Sequence, residues 1–174
     1  MRNLPAPHRF LPILPLLAGL AAVSCGPPTL PPVSEPDPAI ACPGNWKAWS
    51  LEILDRRADR EGSDKLVALL SDSVRKSFPG CTWSEAGTAD RPVISIEVHR
   101  FAAPFYDEMW NAAAEWTVWV RGPGGQTLAE FEAEATAERP NYRGSDNEKE
   151  ALRQVFGEAF RRTVAGLRSV SGGG

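Results

Sequence analysis

The segment covering residues 10–44 most constrains what this chain can fold into. Residues 10–23 read FLPILPLLAGLAAV, a run of fourteen uncharged residues. A membrane-spanning helix needs roughly 20 apolar residues, so this run is too short for one. Residues 26–44 read GPPTLPPVSEPDPAIACPG, in which seven prolines favour an extended polyproline conformation over a helix or a central strand. We therefore expect the folded domain to be built from the residues that follow, beginning near Trp46.

The apolar run has the features of a secretory signal. The residues before it include Arg2 and Arg9 and no acidic residue, and small side chains precede Cys25. A basic start, a short apolar run and small residues before a cleavage point are typical of an exported chain. We therefore expect residues 1–24 to be removed as a signal peptide.

The residues AVSC, which end at Cys25, resemble a bacterial lipobox. The resemblance implies that the Cys25 thiol carries a diacylglycerol, that the chain is cut before it and that the new N-terminus is acylated. Stable anchoring needs more than one acyl chain, and a triacylated cysteine meets that requirement. Gly26 stands where enterobacterial lipoproteins retained in the inner membrane carry Asp, so the resemblance favours the periplasmic face of the outer membrane. The alternative is a secreted protein cut near Ala22 that keeps Cys25 for a disulfide.

The mature chain is acidic and has few residues that bind metals. Removal of the signal takes two of the 19 basic residues and leaves 17 against 22 acidic ones, which argues against a nucleic-acid partner. Residues 25–45 then form a lipidated, proline-rich tether that rises about 3.1 Å per residue. Cys42 and Cys81 are an even pair, which predicts a disulfide in an oxidising periplasm; two buried thiols are the alternative. With His99 the only mature histidine and no CxxC motif, we expect no metal site.

Apolar residues recur with two different periods beyond Trp46. Steps of three and four residues predict an amphipathic helix that starts at Ser63 or Asp64, and a second that begins at Ser145, whose spacing to Glu148 fits a capping box. Alternation of apolar and polar residues predicts half-buried strands at 49–54, 92–101, 112–120 and 126–136. The order is strand, helix, three strands, helix. We therefore predict one α+β domain at 46–170, in which two amphipathic helices pack on a mainly antiparallel sheet, and a flexible tail at 171–174.

The sequence contains no pattern typical of an enzyme. A hydrolytic triad needs a histidine beside a nucleophile, and the strand phase places His99 on a polar face together with Glu97. No GxSxG, HExxH or P-loop motif is present. Glu130, Glu132 and Glu134 alternate along one strand, a pattern typical of a solvated sheet face. We therefore expect neither catalysis nor a cofactor.

Aromatic side chains are the most informative feature of the domain. The stretch FAAPFYDEMWN, residues 101–111, gathers several of them at a connection between strands, where apolar area can be exposed. Trp119 is predicted to point to the opposite strand face from Trp116. Aromatic residues and Met are favoured at protein interfaces. We therefore predict an interaction surface made of Phe105, Tyr106, Met109, Trp110 and Trp119; the alternative is that the connection folds back and caps the sheet.

Residues 46–168 resemble the auxiliary lipoproteins of ABC-type transport systems that move lipids between membranes. The resemblance is carried by LVALLSDSVRKSF followed by PG, ISIEVHRF, AAAEWTVWV, TLAEFEAEA and EALRQVFGEAFRRTVAGL. NYRGS, residues 141–145, is similar to a second lipoprotein family of this architecture, the YajG-like proteins. The resemblance implies a non-enzymatic accessory protein of the cell envelope that docks on a transport complex.

Two other functions stay open at this point. One is a periplasmic lipoprotein that binds a lipid or small ligand between sheet and helices, with Trp116, Trp119 and Phe131 lining a pocket. The other is an activator of a cell-wall synthase, because a proline-rich tether followed by such a domain resembles the outer-membrane activators of peptidoglycan synthases.

Overall fold

The computed structural model describes residues 42–44, 46–85 and 90–170, with Glu85 described by its backbone. The predicted signal, Cys25, most of the tether and the tail at 171–174 lie outside the described residues. The strands are β1 (Ala48–Asp55), β2 (Thr82–Glu85), β3 (Val93–Ala102), β4 (Phe105–Tyr106), β5 (Met109–Arg121) and β6 (Thr127–Pro140). The α-helices are α1 (Ser63–Ser77) and α2 (Ser145–Ser169), and a 3₁₀ turn (Asn141–Arg143) leads into α2.

The strands form one mixed sheet. β1 pairs in parallel with β2 and β3, and β5 pairs antiparallel with β3, β4 and β6. Because β6 occupies one side of β5 along its full length, β4 lies on the same side of β5 as β3 and continues it. The order across the sheet is therefore β2-β1-β3-β5-β6. Helix α1 carries the chain back to the end of the sheet where β1 begins. β2 can therefore run beside β1 in the same direction, which makes the pair parallel.

The predicted α+β class is confirmed, and the predicted element order lacked two strands. β2 has four residues and β4 has two, so neither is long enough to show an alternation in the sequence. β6 extends four residues beyond its predicted end at 136. It does so because β5 begins at Met109, where it pairs with Pro140.

Both helices cover the same face of the sheet and enclose one core. Alternate residues of β3 and β5, among them Ile96 and Trp116, are fully buried against apolar residues of both helices. The Trp116 indole nitrogen donates a hydrogen bond to the Thr163 hydroxyl at 2.8 Å, and that hydroxyl donates to the Ala159 carbonyl at 3.1 Å. The Trp116 ring also lies 6.1 Å from the ring of Phe156. The indole N–H, which is the only polar group of the buried Trp116 side chain, therefore has a hydrogen-bond partner within the core.

The expected capping box at the start of α2 is wrong. The N-cap residue is Gly144, at φ 56°, and no side chain caps the helix. Helix α1 likewise begins after Gly62, at φ 67° and without a side-chain cap. Glycine adopts a positive φ without steric cost, so each helix begins from a sharp turn of the chain.

A disulfide joins Cys42 to Cys81, as predicted. Cys81 directly precedes β2. Close to the disulfide, the Gly44 amide donates a hydrogen bond to the Val170 carbonyl just after α2. These contacts attach the start of the domain to the end of the sheet where β1 and β3 begin and β5 ends. We call this end, marked by the disulfide, the tether end.

Candidate interaction surfaces

The β4–β5 hairpin projects from the end of the sheet opposite the tether end. Its two-residue turn, Asp107 and Glu108, has φ values of 52° and 61°, the conformation that matches the twist of a tight hairpin. Phe105 and Tyr106 are 47% and 55% exposed. The Phe105 ring lies 5.0 Å from the ring of Trp110, its cross-strand partner. The pairing of β4 with β5 places the hairpin in line with the sheet, while Phe101 and Trp110 of the same stretch pack against the core.

The 3₁₀ turn adds a third exposed aromatic side chain to this end of the sheet. The Asn141 amide donates to the Glu108 carbonyl at 3.1 Å, and the Trp110 indole nitrogen donates to the Asn141 side-chain oxygen at 3.0 Å. Tyr142, next along the chain, is 89% exposed. Within the described part of the chain, the large hydrophobic side chains classed as exposed are Phe105, Tyr106 and Tyr142. We call these three residues the aromatic end.

The structure divides the predicted interaction surface into two places. Phe105 and Tyr106 are exposed at the hairpin, while Met109 and Trp110 are half-buried there. Trp119 lies nine residues further along β5, which at about 3.3 Å per residue is roughly 30 Å away. Tyr142 was not predicted to belong to this surface, because no local pattern links it to the hairpin. Two hydrogen bonds of the neighbouring Asn141 hold it beside the hairpin.

Along β5 and β6, the face of the sheet opposite the helices carries exposed acidic side chains, and we call it the open face. Trp119 is half-buried on this face between Ser95 of β3 and Glu130 of β6. Glu130, Glu132 and Glu134 are exposed, as the alternation predicted. They make no ion pair with any described residue. We call the part of the face formed by these three glutamates the acidic row.

His99 lies on this open face at an irregularity in β3. The pairing of β3 with β5 shifts between Val98 and Arg100, so His99 is the extra residue of a bulge. A hydrogen bond of 3.0 Å links its Nε2 to the Thr117 hydroxyl. No carboxylate among the described residues holds its other ring nitrogen, and the side chain is exposed. The third group that would orient a catalytic histidine is therefore missing from the described residues.

A largely buried ion pair secures the connection between β1 and α1. The Asp55 carboxylate lies 2.7 Å from the Arg57 guanidinium, and their side chains are 4% and 12% exposed. Arg57 also donates to the carbonyls of Phe101 and Glu61. The hydrogen bond from Arg57 holds the pKa of Asp55 well below its usual range, and Asp55 in turn raises the pKa of Arg57. Both charges are satisfied within the pair, which points to a structural role.

Replacing Asp55 with Asn is expected to lower the free energy of unfolding at neutral pH by about 2 kcal/mol, because Arg57 loses a charged acceptor. Since the folded-state pKa lies below the ordinary value of about 3.9, the carboxylate stabilises the fold above that value. This contribution is lost as the pH falls through the folded-state pKa. Urea midpoints of wild type and Asp55→Asn should therefore converge as the pH falls from about 7 to about 2. A difference that stays constant over this range would contradict the assignment.

The space between the sheet and α2 is filled beside Phe131, and a cavity remains where α1, α2 and the end of β3 meet. A Cβ added at Gly166 of α2 would come within 2.5 Å of the Phe131 ring. Trp116 is buried on this side, whereas Trp119 is on the other, so the predicted pocket between them is not formed. Two of the cavities have volumes of about 590 and 460 Å³. Arg100 and Glu138 line the larger one. The smaller one combines charged residues, such as Lys65, with the apolar side chains of Leu66, Phe101 and Leu152.

The described residues contain no cluster of three or more His, Cys, Asp or Glu side chains able to hold a metal ion. Across residues 42–44, 46–85 and 90–170, no helix combines the length and apolarity needed to cross a membrane.

The fold is similar to that of a solved bacterial lipoprotein. A minor lipoprotein from Acinetobacter baumannii superposes with a TM-score of 0.50 at 16% identity, covering 73% of this chain and 94% of that one. The lipoprotein GNA1162 from Neisseria meningitidis gives 0.48 at 11% identity, covering 68% and 97%. PelC from Paraburkholderia phytofirmans, solved as a dodecamer, gives 0.44 at 12% identity, covering 68% and 94%. No family model matches the sequence, and neither does any curated protein. The likeness is therefore one of fold.

Proposed function

We propose that this chain is a non-enzymatic envelope lipoprotein that is anchored through Cys25 to the periplasmic face of the outer membrane. Its domain acts as an accessory docking module of an envelope complex, with an ABC-type or lipid transport system as the partner. One observation carries the proposal: the exposed large aromatic side chains of the described residues gather at the end of the sheet farthest from the tether end.

The shape of the domain suits this role. Strand β5 has 13 residues and spans about 40 Å at 3.3 Å per residue, so the aromatic end stands well away from the point where the tether enters. An acyl anchor on Cys25 would keep the domain at a high local concentration beside membrane partners. The tether would leave the aromatic end free to meet them.

The filled interior favours docking over ligand binding. A protein that extracts a lipid needs a deep, mostly apolar pocket. Here Trp116 and Phe131 fill the space between the sheet and α2. The larger cavity has a mainly polar lining, and the smaller one mixes apolar residues such as Phe101 with charged ones. The fold shared with the Acinetobacter baumannii minor lipoprotein supports the lipoprotein class and leaves the partner to be found.

The anchor and the aromatic end can be tested separately. Cys25→Ala is expected to move the protein from the membrane fraction to the soluble fraction, because the acyl chains that bind the bilayer are lost. A Cys25→Ala protein that stays in the membrane fraction would overturn the anchor. Fractionation of cells that express either form is the measurement.

The double variant Phe105→Ser with Tyr106→Ser keeps Cys25. Crosslinking in native membranes is expected to recover at least about tenfold less partner than with wild type, because exposed aromatics dominate such contacts. Arg161→Ser with Arg162→Ser, on the exposed side of α2, is the matched control and should keep the partner. Transport subunits lost only with the aromatic variant support the proposal. Cell-wall synthases in their place would reassign the partner, and equal recovery from both variants would overturn the docking site.

A further inference from the structure

Strand β6 is a long edge of the sheet with a free side. All the pairing of its 14 residues within the described part of the chain is with β5. On the side of β6 away from β5, the N–H and C=O groups of every second residue therefore point away from the sheet. Edge strands of this length are templates for another strand, and proteins usually shorten, bulge or cover them.

The two faces of β6 set the chemistry of any strand that pairs with it. On the helix side, Ala133, Ala135 and Ala137 are buried under α2. On the open side stands the acidic row, Glu130, Glu132 and Glu134, whose carboxylates have no ion-pair partner among the described residues. An incoming strand would therefore place small or apolar side chains beside the alanines and the alternate side chains beside the glutamates.

The acidic row makes a second copy of β6 an unfavourable occupant. Two such edges paired together would bring glutamates of both copies onto the same face, and like charges across a strand pair are destabilising. The proline-rich segment at 26–44 is equally unsuited, because it carries Glu35 and Asp37 and its prolines lack the N–H that a ladder needs.

We propose that the free edge of β6 binds a basic, extended segment of a partner protein by strand addition. Backbone hydrogen bonds to the edge supply affinity, and alternate Lys or Arg side chains of the partner form ion pairs with the acidic row, which gives specificity. The site is separate from the aromatic end, so the inference does not depend on the proposed function.

The test uses the full-length protein in detergent and a synthetic peptide of about ten residues that alternates lysine and valine. A second peptide has the same sequence and carries N-methyl groups on every amide that points to one edge of the extended peptide. On the opposite edge, every second amide is methylated. Methylation leaves the charge unchanged and removes the donors that strand addition uses. Binding is followed by titration, and hydrogen exchange reports protection of amides in β6.

Two protein variants isolate the role of charge. Glu130→Lys, Glu132→Lys and Glu134→Lys together reverse the acidic row. These side chains are exposed and unpaired among the described residues, so the strand keeps its alternation and the fold is retained. The matched control reverses three exposed acids on the helix side, Glu61→Lys, Asp64→Lys and Asp72→Lys, for the same change in net charge.

The lysine–valine peptide should bind wild type and the control variant equally and should slow amide exchange along β6. It should bind the reversed variant at least about tenfold more weakly, as expected for the loss of three surface ion pairs. Equal binding of the methylated peptide would overturn strand addition. Equal binding to the reversed variant would overturn recognition by the acidic row, and absence of binding to wild type would overturn both. None of these results alters the test of the aromatic end.

Discussion

Replacing Trp116 with alanine is expected to lower the free energy of unfolding by about 3–5 kcal/mol, as large truncations of core aromatics do. The side chain is fully buried, contacts the helix layer at Phe156 and holds the Thr163 hydroxyl at 2.8 Å. Removing it leaves a cavity at the centre of the sheet and takes away the donor to the Thr163 hydroxyl, which keeps its hydrogen bond to the Ala159 carbonyl. Domains of this size are stable by about 5–15 kcal/mol, so the loss is a large part of the total.

Urea denaturation followed by circular dichroism measures this loss. Trp119→Ala is the matched control, because it removes the same side chain from the same strand but from the open face. We expect that change to cost about 1 kcal/mol. If both variants lost equal stability, the assignment of Trp116 to the core and Trp119 to the open face would be wrong.

Removal of the disulfide is expected to have an effect of similar size. The bridge joins residues 39 apart in sequence, and closing a loop of that length stabilises a fold by about 4 kcal/mol in the chain-entropy model. The variant Cys42→Ser with Cys81→Ser should therefore unfold at a clearly lower urea concentration. The loss should come with release of residues 42–44 from the tether end, since the bridge helps hold them beside β2 and Val170.

Reduction provides the internal control for the disulfide. A thiol reductant should move the urea midpoint of wild type to that of the double serine variant and leave the variant unchanged. A reductant-sensitive variant, or a wild type with the same midpoint under both conditions, would contradict the prediction.

The elements with a clear period were predictable, and the short ones were not. β1, β3, β5 and β6 are at least eight residues long and alternate apolar and polar residues over much of that length. Both helices carry apolar stripes at three- and four-residue steps, so the sequence indicates which face of each element is buried. β2 and β4 exist because β1 and β5 offer them partners. Both helices begin where they were predicted to, at Ser63 and Ser145, but a glycine turn precedes α2 in place of the expected side-chain cap.

The grouping of aromatic residues at one end of the sheet was partly predictable for a related reason. Phe105 and Tyr106 are four to five residues from Trp110 and belong to one hairpin, so sequence proximity was a fair guide to spatial proximity. It failed for Trp119, which follows in the same strand but lies about 30 Å away. It also failed for Tyr142, which reaches the aromatic end through hydrogen bonds of Asn141 that join distant parts of the chain.

Local chemistry in the sequence by itself determined the strands and helices, their buried faces, the disulfide pair and the solvated glutamates, because each depends on residues a few positions apart or on composition. Only the tertiary structure decided that the sheet is mixed, that the aromatic end lies opposite the tether end and that β6 has a free edge. Those features depend on which strands become neighbours, and that choice is made by packing between residues far apart in the chain.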